Sequence, residues 1–371
     1  HSYSIVSSDN ILYSLERGLL VVIFNYFTGK GNLLDFDYYK NETETQRLNY
    51  RKFLEEILMI IKKEWKLGGI ITSGIFMKSD HELIAATDNL KIPFVIMQKE
   101  GIRSYNERLV EDYYLKYKIP NFKGTKVLVY NKDEIKSYLK TGYAKKSQIE
   151  VTGCARFDTF FELRKLKAKE KTIAFFLIQN DYGLPIQSGK WFVPKSLKKK
   201  IKDKKFSWEI IEKKYFKLIE DFIKNNKDYK IIIKTKNFQA LSQNQIKFLE
   251  KIENENVKIL SGGNSYNTIK NSRIIVSFSS TVMFEALASE RILITPYDFV
   301  SKNKFKYLLD IEGCYLPSNW IGQNKLTKLK KNNINIKKRN KVFNKYMGNI
   351  DGKSGIRVGK TLNNIFQNYK N

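Results

Sequence analysis

The chain has 371 residues, 42% hydrophobic and 13% aromatic, enough apolar side chain for about two globular domains and too much for a disordered polymer. Its 67 Lys and Arg against 38 Asp and Glu leave a formal charge of +29, which calls for an anionic partner: nucleotide phosphate, acidic glycan, anionic lipid or nucleic acid. Two cysteines, Cys154 and Cys314, lack CxxC or Cys/His spacing, which argues against a zinc site or disulfide framework and points to a reducing compartment.

In chain order, Leu19–Phe24 is the first strand-like run and is far shorter than the roughly 20 apolar residues a bilayer span needs. No signal pattern is visible ahead of it, so the expected chain is soluble or peripheral. An amphipathic stretch follows from Thr43 to Lys63, then a strand at Gly69–Thr72, a helix at His81–Leu90 and a strand at Phe94–Gln98. A further strand Lys126–Tyr130, a helix Lys132–Leu139 and a short strand Ile149–Thr152 complete the first half. Strands alternating with helical patterns predict parallel βαβ units.

The lysine-rich stretch Glu162–Lys171 reads as a solvated boundary, after which the theme repeats. Strands are expected at Thr172–Ile178, Tyr229–Lys234 and Val257–Leu260, and helices at Trp208–Asn225 and Ser242–Glu253. Two basic clusters, Lys195–Lys205 and Lys325–Lys341, read as solvated faces or as contacts to anionic lipid, where each basic residue is worth about 1 kcal/mol.

The richest segment runs from Ile274 to Asp298: a buried-type strand, a hydroxyl turn of Ser277, Ser279, Ser280 and Thr281, a short helix Val282–Ala288, and a second strand. Backbone N–H groups converge at such a turn and suit a phosphate, and Glu285, a helical turn further on, suits a ribose. The same serines are also favoured helix caps, and Glu285 on this second reading is solvated.

Three other segments join this one in order: Ile92 to Gly101, a strand running into a polar loop with Gln98, Lys99 and Glu100; the run Thr152, Gly153, Arg156, Asp158; and Asp351, Gly352, Arg357, Val358. Together they resemble bacterial surface-polysaccharide glycosyltransferases of the GT-B fold, a group that includes capsule and lipopolysaccharide Kdo transferases and CDP-glycerol glycerophosphotransferases. The resemblance implies an α/β fold of two Rossmann-like doubly wound domains facing a cleft, at 1–165 and 166–345. It also implies a C-terminal helix at 346–371 packing back on the first domain.

The resemblance further implies a metal-independent glycosyltransferase with no cofactor. Its donor is a nucleotide sugar, CMP-linked by preference, and its acceptor a lipopolysaccharide or capsule glycan at the cytoplasmic face of the bacterial membrane. Ser279, Ser280, Thr281 and Glu285 would hold the nucleotide, with Lys234 or Lys236 near phosphate and Gln179 in the same loop as Asp181. Asp181 is a candidate nucleophile or a turn cap, and Glu100 a candidate acceptor base or a structural hydrogen-bond partner. Arg156 offers a fork for carboxylate or phosphate, Gln98 and Lys99 line the other side, and His81 follows the helix-capping Asp80. CDP-glycerol or UDP-sugar donors, a UDP-sugar 2-epimerase, and a nucleic-acid binder are the alternatives. The last lacks any recognition motif, so no nucleic-acid partner is expected.

Overall fold

The computed structural model describes residues 26, 44–75, 78–99, 105–177, 193–200, 208–236, 241–278, 280–296, 299, 313–321, 326, 335–349 and 351–370. The chain divides into two compact units: unit 1 comprises His1–Glu100, Asp112–Val151 and Val358–Asn371, and unit 2 comprises Gly101–Glu111 and Thr152–Arg357.

The first unit contains α1 (Glu44–Trp65), β1 (Ile70–Thr72), α2 (Lys78–Asn89), β2 (Phe94–Met97), α3 (Tyr105–Tyr117), β3 (Lys126–Val129), α4 (Lys132–Thr141) and β4 (Ile149–Val151), with the start of α3 grouped into unit 2. The sheet order is β1-β2-β3-β4, every pair parallel. Phe94, Val95 and Ile96 are fully buried in succession, the mark of a parallel strand covered on both faces. Each such side chain contributes about 1.5–3 kcal/mol by leaving water. Helix α1 packs on α2 through Leu58 and Ala86. Arg51 binds Glu82 across the same pair at 2.8 Å. Helix α4 starts where the Asn131 side chain accepts from the N–H groups of Asp133 and Glu134, and ends at Gly142 with φ 73°.

The second unit contains α5 (Arg156–Glu162), β5 (Lys169–Phe176), α6 (Trp208–Asn225), β6 (Lys230–Lys234), α7 (Gln243–Ile252), β7 (Val257–Leu260), α8 (Tyr266–Asn271), β8 (Ser272–Val276), α9 (Val282–Ala288), β9 (Ile292–Ile294) and α10 (Ile336–Tyr346). Helix α11 (Ser354–Lys370) begins in unit 2 and its residues from Val358 belong to unit 1. The all-parallel sheet has the order β7-β6-β5-β8-β9. The chain runs outward from β5 through β6 and β7, then returns to β8 on the other side, so the strand order reverses at β5/β8. Tyr215 of α6 is fully buried beneath that reversal. Its hydroxyl lies 3.0 Å from the Phe176 carbonyl and 3.2 Å from that of Val276, the last residues of β5 and β8.

The fold is the expected α/β class, two Rossmann-like parallel units. Helices Trp208–Asn225 and Val282–Ala288 and strand Val257–Leu260 fall where the sequence places them. The structure adds helices α3, α5, α8 and α10. Leu163, inside the stretch read as solvated, is fully buried, and Lys169 opens β5. Arg339, inside the second basic cluster, is buried on α10 and binds Glu290 at 3.2 Å. The expected strand Leu19–Phe24 lies outside the described residues. Among those residues no helix is long and apolar enough to cross a membrane.

Candidate functional site

Within unit 2 the structure joins three of the motifs into one network. Asp158 accepts from the backbone N–H of Ser354 at 3.1 Å and of Gly355 at 2.7 Å, so its carboxylate sits on the first turn of α11. That position complements the free N–H groups and the positive end of the helix dipole. Arg357 donates through Nε to the Thr152 carbonyl at 2.8 Å, through Nη1 to Asp351 and through Nη2 to Ser354 Oγ, each at 2.8 Å. The pair with Arg357 holds the Asp351 carboxyl below its usual pKa. Gly153, at φ 79°, brings the backbone against Ser354 where a Cβ would lie 2.6 Å from its Oγ.

Arg156 extends the network to the hydroxyl turn. Its Nη2 lies 3.4 Å from Glu285 Oε1, and Ser265 donates to the other carboxylate oxygen. Glu285 is buried, and burial raises its pKa more than the Ser265 bond and the Arg156 charge lower it. Each carboxylate oxygen has two acceptor sites, so one remains on each after these contacts. Arg156 is half exposed and keeps N–H groups for a further anion. Beside Glu285 on the chain, Ser280 Oγ accepts from the Val282 N–H at 3.3 Å, and Thr281 precedes the first helical residue.

The carboxyl ends of the strands carry three buried hydroxyls without a hydrogen-bond partner among the described residues: Thr235 after β6, Ser277 after β8 and Thr295 after β9. Their backbone N–H groups are satisfied by the carbonyls of Leu260, Ile294 and Leu316 at 2.8, 3.1 and 3.0 Å. A buried hydroxyl left unpaired costs about 1–3 kcal/mol, so each of the three is suited to a polar partner beyond the described residues. Gly262 and Gly263 follow β7 at φ 64° and 66°, a conformation that brings bare backbone to the same edge. Of the two lysines expected near phosphate, Lys236 is exposed, whereas Lys234 is buried and donates to the carbonyls of Thr235 and Gly262. Burial lowers the Lys234 pKa.

Neither a family model nor a curated protein matches the sequence. Solved structures do. UDP-GlcNAc 2-epimerase from Methanocaldococcus jannaschii superposes with a TM-score of 0.50 at 15% identity, over 93% of this chain and 90% of that one. A putative UDP-N-acetylglucosamine 2-epimerase from Listeria monocytogenes gives a TM-score of 0.50 at 12% identity, over 87% and 80% of the two chains. What the chain shares with both is the fold.

In unit 1, Gln98 is buried, with its N–H on the Leu128 carbonyl at 3.0 Å and its Oε1 unpaired among the described residues. Lys99 is exposed and its carbonyl accepts from the Tyr130 hydroxyl at 2.6 Å. His81 is buried on α2, with Nε2 2.8 Å from the Ile75 carbonyl, which fixes the proton on that nitrogen. Burial lowers its pKa from 6.5 to about 4, against the opposing effect of the Ile75 bond. The unfolded chain therefore binds the proton first as pH falls. Stability present above pH 6.5 is expected to drop by up to about 3 kcal/mol between 6.5 and about 4. Denaturant midpoints across that range are expected to lose this slope in His81→Gln, and a slope unchanged in the variant would refute it.

Asp181, Glu100, Ser279 and Gln179 lie outside the described residues. The sequence reading missed Ser265, Thr235 and Thr295, as well as Glu107 and Glu111, buried one turn apart on α3. The available signal for Thr235 and Thr295 was position: each is the residue directly after a parallel strand, where open α/β sheets bind ligands.

Proposed function

We propose that the chain is a glycosyltransferase that takes a sugar from a nucleotide donor, with the donor held at the carboxyl edge of the unit 2 sheet. The observation that carries this reading is the row of buried hydroxyls at Thr235, Ser277 and Thr295, unpaired among the described residues, beside the Ser280–Thr281 turn. In this reading Ser280, with Ser279, meets phosphate, Glu285 takes the ribose hydroxyls on its remaining acceptor sites, and Arg156 meets a second anionic group. The donor is a CMP-linked acidic sugar such as Kdo, and the acceptor a lipopolysaccharide or capsule glycan at the cytoplasmic membrane face. The +29 charge and the motif resemblance support both assignments. Asp181 or Glu100 supplies the carboxylate that acts on the sugar or acceptor, with no metal required.

A 2-epimerase is the second reading, favoured by the names of the two proteins that share the fold. Product analysis separates the two: an epimerase alters UDP-sugar with no acceptor present, and a transferase does not. For the nucleotide site, calorimetric titration with CMP is expected to give at least tenfold weaker binding to the Ser279→Ala, Ser280→Ala double variant, about 1.4 kcal/mol. Equal affinity of the variant and the parent would remove the hydroxyl turn from the site.

A further inference from the structure

Unit 1 holds a cavity of about 350 Å³ whose lining comes from α1, α2, the end of α3, the loop to β3, and Tyr143. Five cationic side chains border it, among them Arg47, Arg51, Lys118 and Lys123, against one carboxylate, Glu82. Glu82 is already neutralised: Arg51 reaches it through Nε at 2.9 Å and Nη2 at 2.8 Å, and Arg47 lies 3.9 Å away. Lys118 and Lys123 have no ion-pair partner among the described residues, so the excess charge around the cavity is positive. His81, also in the wall, is held neutral by burial.

A second, independent observation points to an occupant. Tyr143 lines this cavity, is 1% exposed, and its hydroxyl has no hydrogen-bond partner among the described residues. Burial is the main reason its pKa is raised, with the field of Asp80 adding to it, so the phenol stays protonated and is available as a donor. Asp80 itself accepts from Thr72 Oγ1 at 2.8 Å. A buried phenol beside a cavity bordered mainly by cations, without an acceptor among the described residues, is suited to donate to an anionic oxygen held by those cations. The volume falls within the range of small-molecule sites and exceeds what a bare phosphate fills, while Ile119 and Pro120 give apolar wall for an organic portion.

We infer that this cavity is a binding site for an organic phosphate of sugar-phosphate size, with the Tyr143 hydroxyl and the surrounding Arg and Lys side chains on its anionic group. The chemistry is shared by a soluble phosphosugar and by a phospholipid headgroup. It is separate from the nucleotide site proposed in unit 2 and does not depend on it.

The test is calorimetric titration of the full chain with glucose 1-phosphate at low salt, in the parent and in Tyr143→Phe, Lys118→Ala/Lys123→Ala and Ser280→Ala. Expected is saturable binding that Tyr143→Phe weakens several-fold and the double lysine variant about tenfold, while Ser280→Ala leaves it unchanged. The lysine variant keeps the test valid if Tyr143→Phe fails to fold, because Lys123 is exposed and Lys118 is not buried. Phosphatidylglycerol vesicles that displace glucose 1-phosphate, where phosphatidylcholine vesicles do not, would assign the site to a headgroup. Failure of both to displace it would assign the site to a soluble ligand. Absence of saturable binding, or binding weakened by Ser280→Ala and untouched by the other variants, overturns the inference.

Discussion

Replacing Arg291 by methionine is expected to remove about 3 kcal/mol or more of unfolding free energy. The side chain, on the residue just ahead of β9, is buried and donates to four backbone carbonyls. Nε reaches Ile269 at 3.1 Å, Nη1 reaches Leu166 at 3.3 Å, and Nη2 reaches Lys270 at 3.3 Å and Leu163 at 3.5 Å. One planar fork thus ties the end of α8 and the turn ahead of β5 to the sheet. Burial lowers the Arg291 pKa, with the charge of Glu290 opposing it. Methionine fills similar volume but removes the charge-assisted donors; Ile269 and Leu163 keep the Ser272 and Leu166 N–H groups, whereas the Leu166 and Lys270 carbonyls lose the guanidinium. Lysine cannot recover the arrangement, because three donors on a single ammonium do not span it. Urea unfolding midpoints for Arg291→Met and Arg291→Lys measure this, and a loss below about 1 kcal/mol for the methionine variant would show the carbonyls to be satisfied without the guanidinium.

Gly153→Ala is the second large effect, about 2–4 kcal/mol from left-handed strain and overpacking together. At φ 79° an alanine pays about 1–2 kcal/mol of left-handed strain. Its Cβ would also meet Ser354 Oγ at 2.6 Å and Arg357 Nη2 at 3.1 Å. Ser354 cannot step aside freely: its N–H is held by Asp158, and its hydroxyl accepts from Arg357. Gly142 supplies the control, since it has φ 73° and nothing within 4 Å of a built Cβ. Gly142→Ala is expected to show the strain alone. A Gly153→Ala loss no greater than that of Gly142→Ala would mean that the junction of Thr152–Asp158 with the start of α11 is loosely packed.

The parts of the fold that could be read from the sequence are those whose pattern has one physical cause. Phe94 to Ile96 and Ile274 to Val276 are unbroken apolar runs because both faces of their sheets are covered. Val282–Ala288 was bounded by a hydroxyl turn and a following strand. Helix α3 was missed because Asn106, Glu107 and Glu111 are buried, which blurs the apolar stripe by which a helix is recognised. Helix α5 begins without a side-chain cap inside a segment read as a motif loop. The motif residues were visible one by one, but that Asp158 closes the first turn of α11 and that Arg156 meets Glu285 are long-range facts. Lys234 illustrates the same limit: a lysine ending a strand can face a ligand or fold back, and here it donates to backbone carbonyls.

The most direct test of a nucleotide site in unit 2 is a thermal-shift panel of the full chain with CMP, CDP, UDP and GDP. A nucleotide that binds the native state raises the melting temperature in proportion to ln(1 + [L]/Kd). Stabilisation by CMP above the other three is expected, with that shift abolished in the Ser279→Ala, Ser280→Ala variant. No shift with any of the four nucleotides would contradict it.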